Sequence, residues 1–263
     1  MPRPHVYNTQ AIVLRSSPLG EADRLLTIFT SDLGKLRVSA RGVRRPTSKL
    51  GGHLDPLTCS AITVARGKTL DTITSADTLK SFLPLKSDLE RLAHGLYLAE
   101  LVDALNPLEA PNSLAYSLLL EGLEGLGGTS NPDLLLRHLE LRLLAHTGFL
   151  PELHSCVECH ADLTPGNHFF SPQAGGVLCP TCRPLHADAV HLSVEALKVV
   201  RYLSSATGES AIRLRVPKPL AREVAGLTSA FLRHVLEREV RSLAFLRLVG
   251  HGAPDEAVSS TSS

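Results

Sequence analysis

Tryptophan is absent from this 263-residue chain, methionine occurs once, and seven phenylalanines and four tyrosines leave aromatics at 4%. A core must therefore be built from leucine, valine and alanine, and the 43% hydrophobic content is enough to do so. So few aromatics argue against an array of base-stacking platforms. Long apolar runs are missing too: no stretch approaches the roughly 20 residues that span a bilayer. The opening MPRPHVYNTQ lacks the apolar segment of a secretory signal. A cytoplasmic protein with no membrane contact is the expectation. Five cysteines in a reducing compartment do not make a disulfide framework. Phosphate-loop, HExxH, GxSxG and GxGxxG motifs are all lacking, so nothing in the sequence supports an enzyme.

The net charge of +1 conceals a segregated pattern. Residues 1–80 carry a net +6, residues 81–189 a net −8, and residues 190–250 a net +5. Basic ends around an acidic middle suggest at least one surface facing a polyanion.

Residues 5–82 read as strands. The segments 11–15, 25–29, 35–41, 60–65 and 70–76 are short and rich in Val, Ile and Thr. Turn chemistry separates them at 17–20, 31–34 and 51–52. Five short strands in this length fit a small closed barrel of the OB type. From about residue 86 the period becomes helical: Leu89, Leu92, Leu96, Leu98, Leu101, Val102 and Leu105 recur, and Asn106-Pro107 stops the run. Segments 114–126 and 134–145 repeat the pattern, as a helical bundle requires. Ser193 is placed to cap a helix over 194–203; a short β-like piece follows at 212–216. A long last helix starts near Pro219 and turns Leu220, Val224, Leu227, Phe231, Val235 and Val240 inward. The expected division is α+β and multidomain. It comprises an OB-fold β-barrel over 1–80, an α-helical bundle domain from 81–150 and 190–250, an inserted four-cysteine zinc finger over 151–189, and a disordered tail over 251–263.

Cys156-Val157-Glu158-Cys159 and Cys179-Pro180-Thr181-Cys182 are separated by 19 residues. Each CxxC turn presents two thiolates to one metal, and two turns complete a tetrahedron, the signature of one zinc ion. Four thiolates leave no open position, so the role is structural and loss of a ligand should unfold the 151–189 loop and little else. A pair of redox motifs would need βαβ surroundings, which are lacking. His154, His160, His168 and His186 could substitute as ligands, but with four cysteines available they fit positions at the surface or just outside the ligand set, and the lone Cys59 fits a small buried hydrophobe.

The sharpest binding feature runs from Lys35 to Arg41. On a strand, Lys35, Arg37, Ser39 and Arg41 share one face, and Leu36, Val38 and Ala40 face the barrel core. Arg44, Arg45 and Lys49 extend the charge into the next loop. Lysine and arginine on phosphates give salt-sensitive affinity without sequence preference. A second basic zone, including Arg213, Arg215, Lys218, Arg222, Arg233, Arg238 and Arg241, reads mostly as the wet side of a helix. Competing readings are an RNA-binding or ribosome-associated OB and zinc protein, and a zinc hydrolase, the latter opposed by full thiolate ligation.

The block AIVLRSSPLGEADRLLTIFTSDLGKLRVSARGVRRPTSKL, then YLAELVDAL, HLELRLLAHTGFLPELHSCVECH, FFSPQAGGVLCPTC and RSLAFL at 241–246, resembles the RecO family of bacterial recombination-repair proteins in order and spacing. The resemblance implies an N-terminal OB domain, a helical domain and an inserted zinc finger. It implies a non-enzymatic mediator that binds single- and double-stranded DNA and anneals complementary strands. It implies partnership with RecR, through it the loading of RecA on strands coated by SSB, and contact with the acidic, Phe-ended SSB tail on the helical domain. Some members of that family lack the cysteines, in keeping with a structural metal. A nucleoid-associated location is implied with these partners.

Overall fold

The computed structural model describes residues 5–164, 166–237 and 240–250; the 251–263 tail lies outside the described residues. Five strands close a barrel: β1 (Val6–Leu19), β2 (Asp23–Thr30), β3 (Gly34–Ala40), β4 (Cys59–Ala65) and β5 (Asp71–Lys80). They lie in the order β1-β2-β3-β5-β4, and β1 pairs with β4 to seal the ring, an OB-type arrangement. Neighbours are antiparallel except β3 and β5, which run parallel and pair only at Val38–Asp71 and Ser39–Thr72.

The middle of β1 is buried on both faces. Ala11 and Val13 point into the barrel with Leu26, Ile28 and Val38, whereas Ile12 and Leu14 point out, beside Phe29 and Leu57, into the helical body. Successive strand residues alternate faces, so an unbroken apolar run serves two cores at once. The barrel is thereby fused to the helices by a shared core.

The helical body contains α1 (Leu83–Lys86), α2 (Leu89–Leu105), α3 (Ser113–Gly128), α4 (Pro132–His146), α5 (Val194–Ser205), α6 (Gly208–Arg213), α7 (Lys218–Leu236) and α8 (Arg241–Gly250). Side-chain caps start five of them: Asp88, Asn112, Asn131, Ser193 and Thr207 each accept a first-turn amide. Leu98, Leu101, Leu119, Leu123, Leu136 and Leu143 are fully buried between α2, α3 and α4. Each contributes about 1.5–3 kcal/mol by leaving water. Among the described residues, no helix is long and apolar enough to cross a membrane.

Two sequence expectations change here. The 212–216 piece is not a strand. Its first residues finish α6, which Thr207 caps through Ser210 N at 3.2 Å, and it has no strand neighbour to pair with. The long last helix is also two helices. Glu237 takes a left-handed conformation (φ 51°) after α7, Val240 is buried in the break, and α8 starts afresh. The Glu100 carboxylate on α2 fixes that start by accepting from Arg241 N (2.9 Å) and Ser242 N (2.8 Å).

Between α4 and α5 the chain forms a small antiparallel sheet, β6 (His168–Ser171), β7 (Gly176–Leu178) and β8 (Val190–Leu192), in the order β7-β6-β8. It is docked, not pendant. Phe170, Val177 and Leu192 are buried in the main helical core, and Phe170 meets Phe231 of α7 edge-on at 5.7 Å.

Candidate nucleic-acid interface and metal centre

The four cysteines of the two CxxC turns come together beside the small sheet. Their sulfurs all lie within 4.8 Å of one another, and Cys159 Sγ is 3.9 Å from Cys179 Sγ. A tetrahedral zinc with Zn–S of about 2.3 Å puts its sulfurs about 3.8 Å apart, so the cluster fits a zinc site. None of the cysteines is in a disulfide. Burial pushes the Cys156 thiol up, but the amides of Cys159, Cys179 and Glu158 point at its sulfur and bring it down to about 6. The neighbouring sulfurs push Cys182 the other way. Four thiols this close share their charge unevenly unless a cation sits among them. His186 Nε2 lies 3.0 Å from Glu158 Oε2, at the rim of the centre. Cys59, the fifth cysteine, is buried, with its sulfur 3.5 Å from Tyr116 Oη.

On the barrel, Leu36, Val38 and Ala40 join the interior core, and Arg37 stands exposed on the opposite face of β3. Arg41, Arg44, Arg45 and Lys49 are exposed along the turn and loop that follow. Asp23 Oδ1 accepts from Gly42 N (2.7 Å) and Ala22 O accepts from Arg44 N (2.9 Å), which anchors this turn to the β1–β2 end of the barrel. These five exposed cations follow one another along the chain, a basic strip from β3 into the loop after it.

Lys35 does not belong to the strip, contrary to its place in the alternation. Its ammonium pairs with Asp103 Oδ1 at 3.1 Å and also bonds the Asp103 carbonyl, leaving the side chain 12% exposed. The C-terminal end of α2 covers the barrel there, and alternation says nothing about what packs on a face. Ser39 is likewise buried, bonded to Asp71 O and Thr72 Oγ1. Arg15 joins Asp103 from the other side at 3.5 Å.

A cleft of about 740 Å³ opens in the helical body. Arg137, Lys218, Arg222 and Arg233 line it together with apolar surface from Val199 and Val216. Arg213 and Arg215 line an adjoining recess. Five cations of the 190–250 segment, Arg213, Arg215, Lys218, Arg222 and Arg233, thus line concavities, which their helical periodicity alone did not reveal; Arg238 lies outside the described residues.

A closed five-stranded barrel with exposed basic side chains, fused to a helical body and carrying a four-cysteine cluster that fits a zinc site, defines a protein of the OB-like class with a helical partner domain. The Recombination protein O N terminal family matches residues 4–82, and the Recombination protein O C terminal family matches residues 86–244. DNA repair protein RecO of Dehalococcoides mccartyi (strain ATCC BAA-2100 / JCM 16839 / KCTC 5957 / BAV1) is 40% identical over 94% of this chain and 97% of its own length. The protein of that name from Roseiflexus sp. (strain RS-1) is 44% identical over 93% and 86%, and that from Desulforudis audaxviator (strain MP104C) 41% over 93% and 97%. The chain belongs to the RecO family of DNA repair and recombination proteins.

Proposed function

We propose that this protein is a recombination mediator without catalytic chemistry of its own. It binds single- and double-stranded DNA through phosphates along the barrel strip, anneals complementary strands, and works with RecR to help load RecA on SSB-coated DNA in the cytoplasm, at the nucleoid. The observation that carries this reading is the strip itself: Arg37, Arg41, Arg44, Arg45 and Lys49 are all exposed on one barrel, on a fold whose outer strands commonly meet nucleic acid. Membership of the RecO family supports the partners. The units of action follow the domain division: residues 1–80 for DNA, 81–150 with 190–250 for partners, and 151–189 for the metal. That metal is one zinc ion held by Cys156, Cys159, Cys179 and Cys182; with four thiolates it has no open position for a substrate.

The helical cleft suits the acidic, Phe-ended SSB tail. Such a peptide needs an apolar pocket for its aromatic end and basic side chains for its carboxylates. Val199 and Val216 supply the first, and Lys218 and Arg222 the second. A tail peptide should bind the wild type and lose most of its affinity to Arg222→Glu.

The direct test is annealing of complementary oligonucleotides at several salt concentrations. Wild type should accelerate annealing, and an Arg37→Glu/Arg41→Glu/Arg45→Glu variant should not. Equal acceleration by both proteins removes the strip from the DNA path, and acceleration by neither removes the mediator reading. An RNA duplex of equal length run in parallel distinguishes a DNA mediator from an RNA-binding protein.

A further inference from the structure

The parallel seam of the barrel leaves a gap. β3 meets β5 only at Val38–Asp71 and Ser39–Thr72, so the edge of β3 before Val38 has no strand beside it. The loop after α2 occupies part of that edge: Glu109 N donates to Lys35 O at 2.8 Å, and Gly34 lies against the Ala110 carbonyl. Between the β3 edge, this loop and the β4–β5 turn remains a cavity of about 480 Å³. That is within the range of about 300–1,000 Å³ usual for small-ligand pockets.

The chemistry of the lining is specific. The Tyr7 ring is one wall, with the Arg66 guanidinium stacked over it at 4.9 Å. Two flat groups, one aromatic and one cationic, are the surfaces on which nucleobases stack. Asp71 and Glu109 supply carboxylate acceptors. Asp71 is held in place by Tyr7 Oη donating to Oδ2 at 3.0 Å and Gly67 N donating to Oδ1 at 3.0 Å. A carboxylate has about four lone-pair sites, so Asp71 keeps accepting capacity after both bonds. Burial first, and then the Asp71 carboxylate, hold the Tyr7 hydroxyl well above the ordinary phenol range, so it stays a donor to Asp71. Arg37 lines the same cavity, so the cavity adjoins the basic strip.

Resting on the reading that single-stranded DNA follows this strip, we infer that the cavity takes one unstacked nucleobase of the bound strand, and guanine best. Guanine presents two adjacent donors, N1–H and the 2-amino group, which a carboxylate such as Glu109 or Asp71 accepts together. Its O6 and N7 accept from arginine, and Arg37 is in the lining. Thymine offers one ring donor, no amino group and a methyl. Binding is then indifferent to sequence along the phosphates and selective at one position.

The test uses the full chain and three oligonucleotides of about 15 nucleotides, a length suited to one OB fold. One is all thymidine, one carries a single central deoxyguanosine, and one carries deoxyinosine there, which lacks the 2-amino group. Anisotropy titrations at one salt concentration should show the guanine strand binding about tenfold tighter than the thymidine strand, the worth of one good bidentate base contact, with the inosine strand between. Glu109→Gln, on an exposed loop residue, and Tyr7→Leu should each bring the guanine-to-thymine ratio toward one. Equal affinity of wild type for all three strands overturns the pocket while leaving the DNA reading intact. Failure to bind any strand overturns the DNA reading and the pocket with it.

Discussion

Glu140 is fully buried in the helical body, accepting from Tyr97 Oη at 2.7 Å and facing Arg137 Nη1 at 3.0 Å. The arginine contact is an ion pair without hydrogen-bond alignment, since Oε2 has no well-directed donor and Arg137 Nη1 donates to Thr228 Oγ1 instead. Removing one member of such a pair strands the other. Arg137→Met should cost about 3 kcal/mol of stability at neutral pH, and adding Glu140→Gln should recover most of it; urea unfolding of the two variants reads this directly. Burial foremost, against the pull of Arg137, pushes the Glu140 carboxyl above its usual range. Only at pH between the ordinary carboxylate value and this raised value does the folded chain hold a proton that the unfolded chain has released. Stability contributed by this group is fully present below the ordinary carboxylate value and is lost as pH rises to the folded value. Glu140→Gln should flatten that fall in the urea midpoint, and a fall of unchanged steepness would place the charge elsewhere. The sequence puts Arg137 and Glu140 one helical turn apart, as on any wet helix face. Only the convergence of α2, α4 and α7 buries them.

At the scale of elements, the metal turns were legible because two CxxC pairs at a fixed spacing have one economical geometry. What that spacing concealed is that the small sheet between the pairs is part of the main core, through Phe170, Val177 and Leu192. The expectation that losing a ligand disturbs little beyond residues 151–189 therefore needs enlarging. Cys159→Ser should release zinc to a colorimetric chelator at one equivalent per chain or less, and should also lower the midpoint of the helical unfolding transition. An unchanged midpoint would show the sheet to be independent of the metal. The joint between barrel and helices was hidden for a similar reason. Gly34 has φ +73°, and a Cβ there would sit 2.0 Å from Ala110 O. Gly34→Ala should cost roughly 3 kcal/mol through the left-handed backbone and the clash together, measurable by thermal unfolding. The turn signal at 31–34 was visible in sequence; the loop pressed against it comes from 76 residues further along the chain.

Over the whole molecule, the charge pattern reads differently once folded. Much of the acidic middle is structural: Asp103 holds Lys35 and Arg15 of the barrel, Glu124 pairs with Lys80, and Glu100 anchors α8. Asp103 and Glu124 bind the barrel to the helical body, and the strip from Arg37 through Lys49 stays as exposed positive charge on the barrel. The five barrel strands and the helices α2 to α5 followed from periodicity and turns, because those are local. The fate of each charge did not, because it depends on which element packs over it. The measurement that tests the account most directly is single-stranded DNA affinity against salt concentration, for wild type and an Arg37→Gln/Arg41→Gln/Arg44→Gln variant. If these side chains sit on phosphates, the variant binds more weakly and its log–log salt slope is shallower by about 2, since each phosphate contact on a single strand contributes about 0.7. Coincident affinities and slopes for the two proteins would contradict the barrel strip as the path of DNA.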